Sequence, residues 1–117
     1  MLVVDDEASL RTIISDELVH HGYEVQVAEN GTDALGILEN NRHQLVILDI
    51  RMPGMDGLEV LRLIREKNLA DKVIMLTGVD ELKMARTSLE LGANDFMTKP
   101  FLFQNLLACI ERVLKGK

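Results

Sequence analysis

Short runs of apolar residues recur along this chain, separated by longer segments in which apolar residues return every three or four positions. The short runs predict five strands, at Leu2–Val4, Glu24–Ala28, Leu45–Asp49, Lys72–Thr77 and Asp95–Met97. The segments between the strands repeat apolar residues every three or four positions, as at Leu82, Ala85 and Leu89, and this periodicity predicts helices. Strands that alternate with helices indicate a parallel sheet with helices on both faces.

Turn-forming dipeptides stand where these helices should begin or end. His21-Gly22 is expected to close the first helix, Asn30-Gly31 to open the second and Leu91-Gly92 to end the fourth, while Pro53-Gly54 follows the third strand. We therefore predict an α/β fold, a doubly wound five-stranded parallel sheet flanked by five helices. Its expected strand order is 2-1-3-4-5, which is common among such sheets.

Composition is typical of a compact globular protein, with 47% hydrophobic and 27% charged residues in a length of 117. We expect one domain over residues 1–117. No apolar run approaches the roughly 18 residues of a membrane span, and no signal sequence is evident, so a cytoplasmic location is expected. The net charge of −6 and the scattered basic residues argue against direct nucleic acid contact. Cys109 is the only cysteine and should be an inert, buried helix residue.

Polar residues stand at or just beyond the ends of four predicted strands. Asp5 and Asp6 follow the first strand, Asp49 ends the third, Thr77 ends the fourth and Lys99 comes shortly after the fifth. Parallel sheets bind ligands beyond the carboxyl ends of their strands, so these side chains should converge. The sequence thus predicts a site containing acids, a hydroxyl and an amine.

The chemistry of such a site suits a phosphoryl group. Two carboxylates 4 Å apart repel by about 4 kcal/mol at an effective dielectric constant near 20. Some must therefore stay protonated or be neutralised by a cation, and an all-oxygen set favours Mg²⁺. Asp49 is suited to act as a nucleophile, and Lys99 and Thr77 would neutralise the charge of the phosphoryl group. Gly78 has no side chain and is expected to leave open space beside Asp49.

Four motifs occur in a characteristic order and spacing. They are Val3-Val4-Asp5-Asp6-Glu7, Leu48-Asp49-Ile50-Arg51-Met52-Pro53-Gly54-Met55-Asp56-Gly57, Leu76-Thr77-Gly78 and Thr98-Lys99-Pro100-Phe101. Together they make essentially the whole chain resemble the receiver domain of two-component response regulators, which has a flavodoxin-like fold. Each motif alone is weak evidence, whereas the set is highly specific.

The resemblance implies the roles of the acidic residues. Asp49 would accept a phosphoryl group from a histidine kinase or a histidine phosphotransfer protein. Asp6, Asp49 and the backbone carbonyl of Arg51 would bind Mg²⁺ directly, and Asp5 would bind it through water. The domain would catalyse only its own modification and slow hydrolysis, so it would not be an enzyme with an external substrate.

The same resemblance implies a switch. Thr77 and the aromatic residue of the fifth strand, here Phe96, would move together, and the Lys99–Pro100 peptide bond would be cis. Residues Glu81 to Leu91 and Leu102 to Leu114 would present the output surface to an output domain, an effector or a second copy. The first helix, with Leu10, Ile14 and their neighbours, would face the phosphodonor.

Several alternatives remain open in the sequence. A dehalogenase-type phosphatase also uses an aspartyl nucleophile, but its Asp-x-Asp-x-Thr spacing is absent. A flavin-binding module would need a Ser/Thr/Gly-rich loop after the first strand, and a receiver that has lost phosphorylation would act only by docking. The chain is equally compatible with a stand-alone receiver and with a piece of a longer regulator or hybrid kinase, in which Lys115 to Lys117 would begin a linker.

Some polar residues are expected to be merely structural. Asp56 and Asp80 should cap the third and fourth helices, whereas a capping role for Asp6 is the minor alternative to a role in the site. His20, His21 and His43 lack metal-ligand spacing and are expected at helix ends and in loops.

Overall fold

The computed structural model describes residues 1–116, in which five parallel strands form one sheet in the order β2-β1-β3-β4-β5. The strands are β1 (Leu2–Val4), β2 (Gln26–Ala28), β3 (His43–Asp49), β4 (Ala70–Thr77) and β5 (Asp95–Thr98). The helices are α1 (Ala8–His20), α2 (Gly31–Asn40), α3 (Gly57–Lys67), α4 (Leu82–Glu90) and α5 (Phe103–Lys115), with a 3₁₀ turn at Val79–Glu81. The predicted fold class and strand order are confirmed.

Two apolar cores lie on opposite faces of the sheet. Alternate residues of β3 face opposite sides, so Val46 and Leu48 pack with α2, α3 and α4, whereas Leu45 and Ile47 pack with α1 and α5. Such double burial explains why the strands read as continuous apolar runs. Cys109 belongs to the second core and is buried, as predicted.

The strand boundaries differ from the predictions mainly at the amino ends. β3 and β4 begin two residues earlier, at His43 and Ala70, while β2 begins only at Gln26. His43 was expected in a loop, but it is buried at the start of β3, with its ring nitrogens 2.7 Å from Oε1 of Gln26 and 2.6 Å from the carbonyl of Asn41. Hydrogen bonding allows this polar ring to be buried.

Helix termini follow the predicted turns with one exception. The side chain of Asn30 caps α2 by accepting a hydrogen bond from the backbone amide of Asp33. The side chain of Asp56 caps α3 in the same way, with the amide of Glu59. The prediction that Asp80 caps α4 is wrong, because Asp80 lies inside the 3₁₀ turn that leads into that helix. The minor alternative for Asp6 is also excluded, since Glu7 occupies the cap position of α1.

Two glycines end their helices in the left-handed region, as turn signals of this type require. Gly22 has φ of 92° after α1, and Gly92 has φ of 107° after α4. None of the helices within residues 1–116 combines the length and apolar character that crossing a bilayer requires. Lys115 is the last residue of α5 rather than the start of a linker, and Lys117 lies outside the described residues.

Candidate functional site

Three carboxylates meet at the carboxyl edge of the sheet. One oxygen from each of Asp5, Asp6 and Asp49 lies within 4.8 Å of the other two. Asp5 has no solvent exposure and Asp49 is buried, whereas Asp6 is exposed. The cluster is therefore open to solvent on the side of Asp6 and closed on the other two.

Strand register explains this convergence. Val4 of β1 pairs with Leu48 of β3, so the next residue on each strand, Asp5 and Asp49, ends at the same level. Asp49 pairs in turn with Leu76, which precedes Thr77 on β4. Thr77 then pairs with Thr98, the residue before Lys99. The pairing of the strands therefore places all the predicted site residues at the same edge of the sheet.

Lys99 joins two of the acids. Its Nζ atom lies 3.0 Å from Oδ2 of Asp5 and 3.3 Å from Oδ1 of Asp49, and its side chain is 24% exposed. Burial opposes ionisation of the amine, but the carboxylates of Asp49 and Asp5 outweigh it and raise the Lys99 pKa. The ammonium group is therefore fixed beside the nucleophile that the sequence predicts.

One ammonium group does not fully compensate the acids. Burial and, next, the charge of Asp5 raise the Asp49 pKa to about 7 against the opposing effect of Lys99. Without a metal ion, Asp49 is therefore partly protonated near neutral pH. Asp49 therefore combines the two outcomes expected for crowded acids, since its raised pKa favours proton uptake and the Lys99 ammonium group neutralises part of its charge.

The donor set fits a small divalent cation. It consists only of carboxylate oxygens from Asp5, Asp6 and Asp49, which is the ligand chemistry that Mg²⁺ prefers. Mg²⁺ usually keeps several waters, and exposed Asp6 leaves room for them. The raised pKa of Asp49 indicates that a further positive charge is favourable there.

Asp5 is held in place by its surroundings. Its Oδ1 accepts the backbone amide of Glu7 at 2.9 Å, and its carbonyl accepts a hydrogen bond from the Arg11 guanidinium at 2.6 Å. Arg11 was not predicted from the sequence as part of the site. Its location six residues after Asp5, one turn into the following helix, is the signal that could have identified it.

The loop after β4 forms a second cluster beside the acids. Glu81 is buried, and one carboxylate oxygen accepts the Gly78 amide at 2.9 Å while the other forms an ion pair with the Nε atom of Arg51. The Gly78 hydrogen bond is the main factor that lowers the Glu81 pKa, followed by burial, which opposes it, and then by Arg51. Glu81 is thus ionised and bound on both oxygens.

Thr77 is oriented toward this loop rather than toward Asp49. Its hydroxyl oxygen is buried and lies 3.1 Å from the Gly78 carbonyl and 3.4 Å from the Glu81 carbonyl. Among the described residues, its side chain forms hydrogen bonds only with these two carbonyls. Phe96 is half-buried and packs against the core that contains α4, and the Lys99–Pro100 bond is cis as expected.

The expectation for the first helix needs a correction. Ile14 is buried in the core against the sheet and cannot contact a phosphodonor, because the apolar stripe of α1 is what attaches it to the sheet. The exposed apolar residues of α1 are instead Ile13, 57% exposed, and Val19, 56% exposed.

The family model of the response regulator receiver domain matches residues 1–111. Among curated sequences, the uncharacterized transcriptional regulatory protein YkoG of Bacillus subtilis is 40% identical over 98% of this chain and 50% of its own length. The alkaline phosphatase synthesis regulator PhoP of Bacillus subtilis is 39% identical over 98% of this chain and 48% of its own. The chain spans about half the length of the curated relatives it matches.

Solved structures agree with this assignment. The receiver domain of NtrX from Brucella abortus superposes with a TM-score of 0.93 at 33% identity, covering 99% of this chain and 98% of that domain. A response regulator receiver domain from Clostridium thermocellum gives a TM-score of 0.91 at 33% identity, covering 97% and 92%. These matches also separate the chain from the phosphatases and flavin-binding modules considered above. On this evidence the chain belongs to the receiver domains of two-component response regulators.

Proposed function

We propose that residues 1–117 form one phosphoacceptor domain in which Asp49 takes a phosphoryl group from a histidine kinase or a histidine phosphotransfer protein. The observation that carries the proposal is the position of Asp49, buried at the end of a central strand, with the Lys99 ammonium group 3.3 Å away and two further acids in the same cluster. A solely structural role would not require so many ionisable groups at one strand end.

The transfer balances as a simple displacement. A carboxylate oxygen of Asp49 attacks phosphorus, the new O–P bond forms and the P–N bond to the donor histidine breaks. The imidazole nitrogen keeps the bonding electron pair and takes up a proton from solvent. Lys99 neutralises part of the charge on the phosphoryl oxygens, and the Thr77 hydroxyl turns from its loop carbonyls to donate to one of them.

The metal ligands are proposed to be Asp6, Asp49 and the backbone carbonyl of Arg51, with Asp5 acting through a water. Mg²⁺ bound there would supply positive charge opposite the phosphoryl oxygens. Asp5 would keep its second role, which is to hold Lys99 in position through the 3.0 Å contact.

The modification is reversible and serves signalling. Water would release phosphate from Asp49 and restore the carboxylate, so the domain would turn over no external metabolite. Phosphorylation would bias an existing equilibrium of the loop after β4 and of the surface formed by α4, β5 and α5. That surface, which includes Glu81 to Leu91 and Leu102 to Leu114, would contact an output domain, an effector or a second copy of the chain, in the cytoplasm and without touching nucleic acid itself.

The test is phosphorylation by a small-molecule donor. Wild-type protein incubated with acetyl phosphate and Mg²⁺ should gain one phosphoryl adduct in its intact mass, and Asp49→Asn should gain none. Asp16→Asn, at an exposed position of α1, is the matched control and should behave as wild type. Equal adducts in wild type and Asp49→Asn would overturn the assignment.

A further inference from the structure

Glu81 occupies groups that an incoming anion would use. Its carboxylate binds the Gly78 amide and the Arg51 guanidinium, and these come from the two loops that follow β4 and β3 beside the acceptor. A backbone amide and a guanidinium are the usual ligands of a phosphoryl oxygen. Within this cluster, the bound anion is a side chain of the protein itself.

The contact is held by more than one bond. The Glu81 amide donates to the Gly78 carbonyl at 3.1 Å, while the Gly78 amide donates to the Glu81 carboxylate at 2.9 Å, so the two residues are reciprocally bonded. The Glu81 carbonyl is also within 3.4 Å of the Thr77 hydroxyl. Displacement of the Glu81 carboxylate would therefore loosen the turn that connects Thr77, at the end of β4, to α4.

We propose that Glu81 is an internal competitor of the phosphoryl group, which holds Gly78 and Arg51 until a phosphodonor displaces it and which thereby sets the donor concentration that phosphorylation requires. The inference rests on the proposed phosphorylation of Asp49. It also assigns a role to Arg51: its side chain is 71% exposed, but its charge is taken up by Glu81 rather than offered to donors. Glu81 is a positioning residue in this account, since it does not itself react.

Three variants separate this role from a general effect of charge. Glu81→Gln keeps an oxygen that can accept the Gly78 amide but loses the ion pair, whereas Glu81→Ala frees both groups. Asp80→Asn removes the same charge from the neighbouring, exposed position, whose carboxylate acts on Arg51 through its charge but forms no hydrogen bond or ion pair with Gly78 or Arg51 among the described residues. The effect should follow the contacts rather than the net charge.

The measurement is the concentration of acetyl phosphate that gives half-maximal phosphorylation rate at fixed Mg²⁺. We expect Glu81→Gln to lower it about two- to fivefold, because the Arg51 side of the ion pair is largely exposed and solvent weakens its attraction to Glu81. Glu81→Ala should lower it by about tenfold, because a charge-assisted hydrogen bond is also released. The maximal rate should change little in both, and Asp80→Asn should lower the half-maximal concentration by less than Glu81→Gln does.

A double variant tests the mechanism. In an Arg51→Gln background, Glu81→Gln should give no gain, since the group that it liberates is gone. The gain of Glu81→Gln alone should also shrink as salt rises, because it depends on attraction between Arg51 and an anionic donor. A structural role for Glu81 would instead alter the maximal rate and the urea midpoint without this dependence on Arg51.

The outcomes distinguish this inference from the proposed function. Wild type that gains an Asp49 adduct at the same half-maximal concentration as all the Glu81 variants would overturn the competitor role and leave the proposed function intact. An equal gain in Asp80→Asn would likewise overturn it in favour of a general charge effect. Absence of any Asp49 adduct in wild type would overturn both.

Discussion

The Nζ atom of Lys99 lies 3.0 Å from Oδ2 of Asp5, a residue 94 positions away in the sequence. Asp5 is fully buried, and its charge is acceptable there only because Lys99 and the Glu7 amide bind its two oxygens. The same ammonium group reaches Asp49. One residue therefore links the stability of the sheet edge to the chemistry of the acceptor.

Replacement of Lys99 should affect both stability and reactivity. Lys99→Met leaves buried Asp5 without its counter-ion, so the free energy of unfolding in EDTA should fall by about 3 kcal/mol. The rate of phosphorylation by acetyl phosphate should fall by about 100-fold, as for loss of one charge-stabilising donor. Urea unfolding and intact-mass kinetics measure the two effects.

The matched control for this prediction is Lys67→Met. Lys67 binds Glu39 at 3.1 Å, but both side chains are about half exposed. Loss of such a pair should cost less than about 1 kcal/mol and leave phosphorylation unchanged. Equal destabilisation by both substitutions would show that the Lys99–Asp5 contact has no special weight.

The stability of the metal-free protein should depend on pH through Asp49. Its pKa is raised to about 7 in the folded state, above the value of about 3.9 in an unfolded chain. The folded protein therefore binds a proton more strongly, and this stabilisation is complete below the unfolded pKa and lost as pH rises through the folded one. Wild type should lose stability from about pH 4 to about pH 8.

Asp49→Asn isolates that contribution. The variant has no charge to gain, so in EDTA it should exceed wild type by about 2 kcal/mol more at pH 8 than at pH 4, by urea unfolding. Mg²⁺ should stabilise wild type at pH 8 and reduce the gap. A difference between the two proteins that does not vary with pH would contradict the raised Asp49 pKa.

Gly57 should control the position of Asp49. A Cβ atom built on Gly57 would collide with the Asp49 carbonyl and lie 2.7 Å from the Ile50 Cα, both of which are backbone atoms that cannot move aside. Gly57→Ala should therefore displace the end of β3 and weaken Mg²⁺ binding by about tenfold, measured by titration calorimetry.

Gly36→Ala is the control for that substitution. Gly36 lies within α2, and a Cβ atom there would meet nothing within 4 Å. The change should stabilise the protein by about 0.5–1 kcal/mol through helix propensity and leave Mg²⁺ affinity as it was. Unchanged Mg²⁺ binding in both variants would show that the contact of Gly57 with β3 does not position the site.

Cys109 should resist thiol reagents in the native state. Burial, together with the charge of neighbouring Asp95, raises its pKa to about 11, so the thiolate is scarce at neutral pH. Reaction with a disulfide reagent at about pH 8 should be at least about 100-fold slower than in guanidinium-unfolded protein. Rapid, complete labelling of the folded protein would contradict the burial of α5 against the sheet.

The correct predictions are those that depend on local pattern. Apolar runs located β1 with both its ends and the other strands within two residues, while the dipeptides Asn30-Gly31 and Leu91-Gly92 marked the start of α2 and the end of α4. The convergence of the acids was also predictable, because the carboxyl ends of parallel strands meet at one edge of the sheet. For the strands and the helix termini, neighbours along the chain carry the information.

The errors arose where a second element decides the outcome. His43 was expected in a loop but is buried, because Gln26 of β2, two strands away in the sheet, binds its ring. Asp80 looked like a cap, but the chain enters α4 through a 3₁₀ turn in which the Glu81 carboxylate takes the Gly78 amide. Ile14 was expected to face the phosphodonor, but it packs in the core against the sheet.

The sequence by itself determined the order of strands and helices and the types of residue at the carboxyl edge of the sheet, since periodicity and turn chemistry are local properties. Only the tertiary structure decided that Lys99 binds both Asp5 and Asp49, that Thr77 faces its own loop and that Glu81 holds Arg51. The contacts of Lys99 and of Arg51 join side chains distant along the chain, and the orientation of Thr77 depends on the turn that Glu81 holds. Their geometry follows from how the folded backbone brings the loops together, which no local pattern encodes.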